Sequence, residues 1–344
     1  MKRLLFLTAV IVLLTFGVCA EVVGGSYGEN ASWSLDTETG LFCLVGKGDM
    51  TDYNPYGIPE NTPPWYAYRA FIKTVEINEG ITSVGNYSFY DCQNLTEVIM
   101  PDTITVIGIS SFRMCEQLTQ VDIPKSVKII GAQAFVNTNL ISVKLHEGVT
   151  DINSHAFWPG RSLKEITIPY SAVNISPYIF YDVLFSDANA TVYCGNRSFA
   201  KWFAIEHGYK VAVNDGNCDI TVYINGKCLD FDVPPYIKNG RTLVPFRAIF
   251  EELGAEAEWI EESQTVNALW DELPISLKIG SNVLKRKNRE FTLDVPAEIK
   301  DGRTMVPLRA VAEACHCEVT WHEATSTVII KTKDYEYPYK SHFC

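Results

Sequence analysis

The chain reads as a β-rich solenoid followed by a smaller, duplicated α/β (α+β) domain, and two observations carry that reading. A phenylalanine returns at Phe89, Phe112, Phe135, Phe157 and Phe180, in steps of 23, 23, 22 and 23 residues. Farther along, Asn239–Val266 and Asp301–Val328 spell one pattern twice, at a constant offset of 62 residues. A fixed period of about 20–29 residues marks short units that stack, each touching only its neighbours.

The other slots keep the same period. Leu95, Leu118, Leu140 and Leu163 open the unit, and Val75, Val98, Val121, Val143 and Ile166 supply a β-branched residue. A second apolar residue follows at Ile77, Met100, Ile123, Leu145 and Ile168, then Pro101, Pro124 or Pro169. Gly85, Gly108 and Gly131 come later in the unit; Asn153 and Ser176 replace the glycine in the last two, and one residue is inserted before Val173. The pattern predicts a strand over Leu-x-x-Val-x-Ile-Pro, a tight corner, and a short second strand ending at the Gly and Phe. Proline suits the strand end, where its missing N–H costs the ladder nothing. One such turn has too little apolar surface to order itself, so stacking is required.

Asn94–Glu116 (NLTEVIMPDTITVIGISSFRMCE) resembles the BspA-like subclass of leucine-rich repeats found on secreted bacterial proteins. Ala31–Gly48 and Pro63–Tyr68 resemble the stretch that precedes such repeats, and Thr191–Val211 the stretch that closes them. The resemblance implies a capping segment over residues 21–70 and a leucine-rich-repeat solenoid with its C-terminal cap over 71–213.

Residues 1–20 read as a signal peptide: Lys2 and Arg3, a 13-residue apolar run Leu4–Phe16, then small residues permitting cleavage after Ala20. No later segment is apolar enough to span a bilayer. The expected location is secreted or cell-surface in a bacterium. The formal net charge of −12 disfavours nucleic acid and anionic lipid as partners, since both need clustered Lys and Arg.

Export permits disulfides. The chain beyond Ala20 holds nine cysteines, an odd number. Cys92 and Cys115 occupy one slot in adjacent turns, where Cα atoms stand about 5 Å apart; they form either a disulfide or two buried thiols. Cys218 and Cys228 are also placed to close a loop.

After a polar hinge at Asn214–Asn217 the duplicated part begins. In each copy a proline (Pro245, Pro307) suits the first helical turn. Phe246, Ile249, Phe250 and Leu253 then fall on one helix face, and Gly254 marks a left-handed cap. Strands are expected at Ile220–Ile224, Leu229–Val233, through Trp259, at Thr265–Trp270, Ile275–Ile279, Glu290–Val295, through Trp321, and at Thr327–Lys331. The two GRT-[LM]-VP-[FL]-RA runs with their tryptophans resemble the copper amine oxidase N-terminal-like domain, over residues 219–334. That resemblance implies an exported accessory module that carries neither copper nor the quinone cofactor; residues 335–344 form a tail. Cys315-His316-Cys317 with His322 lacks the two-residue spacer usual in zinc sites, so drift at a core slot is the stronger reading. Arg247 and Arg309 either bind a carboxylate ligand or tie their own domain together.

No nucleophile elbow, His-Glu-x-x-His or phosphate loop appears, and no catalytic residue, metal or cofactor is expected. The best site candidates are the outward strand positions: Thr74, Glu97, Gln120, Ser142 and Glu165 in one column, Glu76, Ile99, Asp122, Lys144 and Thr167 in the other. They are polar and mildly acidic and lack the aromatic stripe of a sugar-binding face. The expected function is an exported, non-enzymatic binding or adhesion protein contacting an extracellular protein or envelope polymer. The alternative is an accessory or regulatory part of a cell-envelope remodelling system.

Overall fold

The computed structural model describes residues 21–28, 30–55, 61–158, 161–180, 190–216 and 219–340. The expected leader lies outside these residues.

The short apolar units become three-sided rungs. On the first side, Leu41–Gly46, Thr74–Ile77 and Glu97–Ile99 pair in parallel. The ladder resumes with Ser142–Lys144, Glu165–Thr167, Thr191–Cys194 and Lys210–Val213. Between them, the strand expected over Leu118–Pro124 does not form. The following corner is one residue shorter than its predecessor, Phe135 to Leu140 against Phe112 to Leu118, and the ladder restarts beyond it. The second side is a parallel ladder of Ile81–Val84, Val106–Ile107, Ile129–Ile130, Asp151–Ile152 and Asn174–Ile175.

The second strand ends before the glycine, and the phenylalanine lies on a third side built of turns. A Cβ on Gly131 would stand 2.5 Å from the Gly108 carbonyl carbon and 2.7 Å from the Ile109 nitrogen. Glycine is needed there because neighbouring backbones touch. Two residues beyond each glycine, Tyr87, Ser110 and Gln133 take left-handed φ of 56°, 50° and 59°; Asp91, Met114 and Asn137 do the same four residues later. Their N–H groups donate to the next rung, Tyr87 to Ile109 O at 2.8 Å and Ser110 to Ala132 O at 2.9 Å. These bonds offset a left-handed backbone that costs about 1–2 kcal/mol per residue. The pattern survives the loss of the glycine: Asn153 is fully buried and its Nδ2 donates to Ile130 O at 3.0 Å.

The phenylalanines form the buried column that the period requires. Phe89, Phe112, Phe135 and Phe157 stack at centroid spacings of 5.5, 5.5 and 5.6 Å with ring planes within 11°; Phe180 follows at 6.3 Å. Trp65 closes one end over Phe89, its Nε1 donating to Ser88 O at 2.8 Å. Tyr209 meets Phe180 edge-on at the other end, beside helix α1 (Phe199–Glu206), which Ser198 caps by accepting from Lys201 N.

The duplication appears as an internal two-fold. Arg241–Pro245 and Arg303–Pro307 pair antiparallel with Val244 opposite Val306, equivalent residues of the two copies. Arg241 bonds Asp294 and Arg303 bonds Asp232, each at 2.5 Å, so each copy grips the other. Helices α2 (Phe246–Glu252) and α3 (Leu308–Ala314) bury Phe246, Ile249, Phe250 and Leu308, Val311, Ala312. Pro245 and Pro307 sit one residue earlier than expected, ending a strand and preceding the helix. The cap expectation is met at Gly254 (φ 78°); in the second copy His316 takes the same left-handed place (φ 56°). Leu229–Val233 is not a strand; the hairpin partner of Thr221–Ile224 is Lys227–Cys228.

The hinge expected at 214–217 does not leave the two halves independent. Asp215 is bonded by Tyr170 Oη at 2.5 Å and Asn196 N at 2.6 Å. The fully buried Lys201 of α1 reaches Thr221 Oγ1 at 2.9 Å and Thr325 O at 3.1 Å. Tyr223 Oη donates to Ser198 O at 2.9 Å, and Lys331 pairs with Glu206 at 2.6 Å. The tail crosses back over the last rungs: Tyr337 stacks on Trp202 at 5.4 Å and donates to Ile175 O, and Tyr339 donates to Asn153 Oδ1.

His207 sits at this junction, its ring against Phe203, Tyr209 and Tyr337 and its Nδ1 2.9 Å from Phe203 O. Burial holds its pKa below the usual imidazole value. The unfolded chain therefore takes up the proton first, and stability falls as pH drops from about 6.5 through the depressed value. The melting temperature is expected to decline over that window in wild type and less in His207→Gln, read by circular dichroism between pH 7.5 and 5.

Candidate binding face

Alternation along each first-side strand turns one set of side chains inward and the other out. Val75, Val98, Val143 and Ile166 are buried, while Glu97, Ile99, Ser142, Lys144 and Glu165 are exposed and Thr74, Glu76 and Thr167 half-exposed. Register aligns them as the period requires: Thr74 beside Glu97, Glu76 beside Ile99, Ser142 beside Glu165, Lys144 beside Thr167. Gln120 and Asp122 are exposed on the rung that lacks a strand, so they interrupt the columns rather than continue them.

The face runs beyond the repeats at both ends. Leu41 and Cys43 extend the columns upstream, opposite Thr74 and Glu76, with Val45 next on the same strand. Thr191 and Tyr193 extend them downstream, opposite Glu165 and Thr167. The alternation of Leu41–Val45 and Thr191–Cys194 was the available signal. Leu41, Val45 and Ile99 stand 38%, 52% and 47% exposed, a partly apolar end bordered by Glu76 and Glu97. Partial burial, and then the charge of Glu76, push the Cys43 thiol up from its ordinary value.

The remaining candidates separate. Cys92 and Cys115 lie buried in one slot as free thiols, Cys115 Sγ donating to Phe89 O at 3.3 Å. Burial raises both thiol pKa values. Ellman's reagent at pH 8 is expected to label neither under native conditions and both after unfolding without reductant, as mass mapping would show. Cys228 is a free thiol, and its proposed partner Cys218 lies outside the described residues. Cys315 and Cys317 are buried, burial pushing their thiols up to about 12 and about 11. His316 turns to Arg286 and His322 to Thr325, so the four side chains do not converge. Among the described residues no cluster of metal-ligating side chains forms, and no helix is long and apolar enough to cross a membrane.

Residues 65–185 match the family model described as BspA type leucine rich repeat region, in six copies, and residues 223–330 that of the copper amine oxidase N-terminal domain. The repeats are of the BspA leucine-rich type. Among solved structures, the chain is similar to a leucine-rich repeat protein from Eubacterium ventriosum (25% identity, TM-score 0.44, covering 61% of this chain and 48% of that one). One from Bacteroides ovatus shares 19% identity (TM-score 0.36, 52% and 47%), and the T. pallidum leucine rich repeat protein 19% (TM-score 0.35, 54% and 97%). The chain spans about half the length of the first two. No match is found among curated proteins. The BspA-type repeats thus supply the strand face, and the copper amine oxidase N-terminal domain, which is not a catalytic domain, packs against their closing helix.

Proposed function

We propose that this is an exported, non-enzymatic binding or adhesion protein whose outer strand face contacts an extracellular protein or envelope component carrying basic groups. The observation that supports this reading most is the alignment of acidic and polar side chains on the outer strands of one side of the rungs, in two ladders, with Glu76, Glu97 and Glu165 against the single cation Lys144 in the repeat columns. BspA-type repeats are typical of bacterial surface and secreted proteins, which agrees with the leader read in residues 1–20.

Separated halves would expose Trp202 and Tyr223, both fully buried, so the test uses the whole chain. Immobilised wild-type protein is offered cell-envelope and extracellular fractions beside a Glu97→Lys/Glu165→Lys variant. Retention of a component that weakens roughly tenfold in the variant, and falls with salt, supports the face. Equal retention by both proteins, or none by either, rejects it. Export is checked separately: the secreted protein should begin at Glu21 on N-terminal sequencing.

A further inference from the structure

The two-fold of the duplicated region builds two grooves with the same walls. In each, one copy gives a helix and a tryptophan strand, and the other copy gives a hairpin. The first groove, about 560 Å³, sets Arg247 and Trp259 against Ile299 and Arg303. The second, about 300 Å³, sets Arg309 and Trp321 against Ile237 and Arg241. Every one of these residues has its counterpart at the 62-residue offset. Two equivalent grooves in one chain are a product of the architecture rather than an accident of one loop.

Their chemistry differs. In the first, each donor already has an internal acceptor: Arg303 bonds Asp232, Arg247 lies 3.8 Å from Glu251, and Trp259 Nε1 donates to Glu261 at 2.7 Å. Glu258 adds a further carboxylate to that wall. In the second, Thr320 replaces Glu258. Among the described residues Arg309 makes no ion pair, and the Trp321 N–H donates to no side chain. Arg241 bonds Asp294 here as Arg303 bonds Asp232 in the first groove, so Arg309 is the cation on this lining left without an acidic partner among the described residues, with Glu323 the carboxylate that shares the lining. Its floor is apolar, with Leu308 and Val328 buried and Val319 half-buried, and Ile237 stands 55% exposed at the lip.

We infer that the second groove binds a peptide C-terminus with an aliphatic last residue, Arg309 and the Trp321 N–H taking the carboxylate and the floor taking the side chain. The unpaired guanidinium of Arg309 selects this occupant, because a planar guanidinium pairs with a carboxylate through two parallel bonds. An uncharged carbonyl accepts from the same two donors more weakly than a carboxylate does.

The probe is acetyl-Ala-Leu as free acid, titrated into the whole ¹⁵N-labelled chain beside its C-terminal amide and glucuronate. The free acid should shift the Trp321 indole and Arg309 side-chain resonances saturably. The amide, glucuronate, Arg309→Gln and Trp321→Phe should each weaken binding about tenfold, and Arg247→Gln should leave it within about twofold. No saturable shift up to solubility, equal binding of the amide, shifts confined to the first groove, or wild-type affinity in a folded Arg309→Gln protein each overturn the assignment. Equal binding of glucuronate would overturn the aliphatic part.

Discussion

Phe112→Ala is expected to lower the unfolding free energy by about 3–5 kcal/mol, the range for a large aromatic removed from a tight core. Phe112 is fully buried between rings 5.5 Å away on either side. Neither neighbour can move into the gap without leaving its own rung, so the cavity stays open. Each rung touches only the next, so the damage also weakens the coupling between the Trp65 end and the α1 end. Urea unfolding followed by circular dichroism should show a lower midpoint, and a broadened or two-step transition. A loss below about 1 kcal/mol with an unchanged slope would mean that the ring column is not what holds the rungs together.

Gly131→Ala should be nearly as damaging, although it adds only a methyl group. All three nearest atoms to the new Cβ, 2.5 to 2.8 Å away, are backbone of Gly108 and Ile109. Side chains can rotate away from an intruder and a laddered backbone cannot, so the cost should lie at or above the top of the usual 1–3 kcal/mol for overpacking. A matched change on the solvent-facing column, Ser142→Ala, should stay within about 0.5 kcal/mol. Thermal melts of the two variants side by side give the comparison; a Gly131→Ala protein as stable as Ser142→Ala would show that the rungs separate freely at that side.

Much of the framework was legible because it rests on periodicity. The phenylalanine spacing gives the buried column, the alternation Val75-Glu76-Ile77 gives an inner and an outer face, and the 62-residue offset gives two helices of the same polarity. What escaped was conformation without a residue signature. The left-handed backbone at Tyr87, Ser110 and Gln133 falls on three unrelated side chains with no glycine among them, because the bond to the next rung, not local preference, selects it. The gap in the first ladder at Gln120 and Asp122 was equally invisible, since that unit keeps every apolar slot. For the candidate face, its columns could be read directly, but its extension through Leu41, Cys43 and Tyr193 depends on a cap strand joining each of the two repeat ladders.

The amino-acid order by itself determined that there are stacked rungs, that there is a duplicated partner, and which side chains each hides, because burial of a repeated apolar slot needs nothing beyond its neighbours in the repeat. Tertiary structure alone decided how distant parts meet: that Lys201 and the Tyr337 tail lock the two halves together, that Arg241 and Arg303 cross between copies, and that one of two equivalent grooves leaves Arg309 without an acidic partner among the described residues. Those contacts join residues far apart along the chain and depend on where each fold surface ends up, which no local pattern encodes.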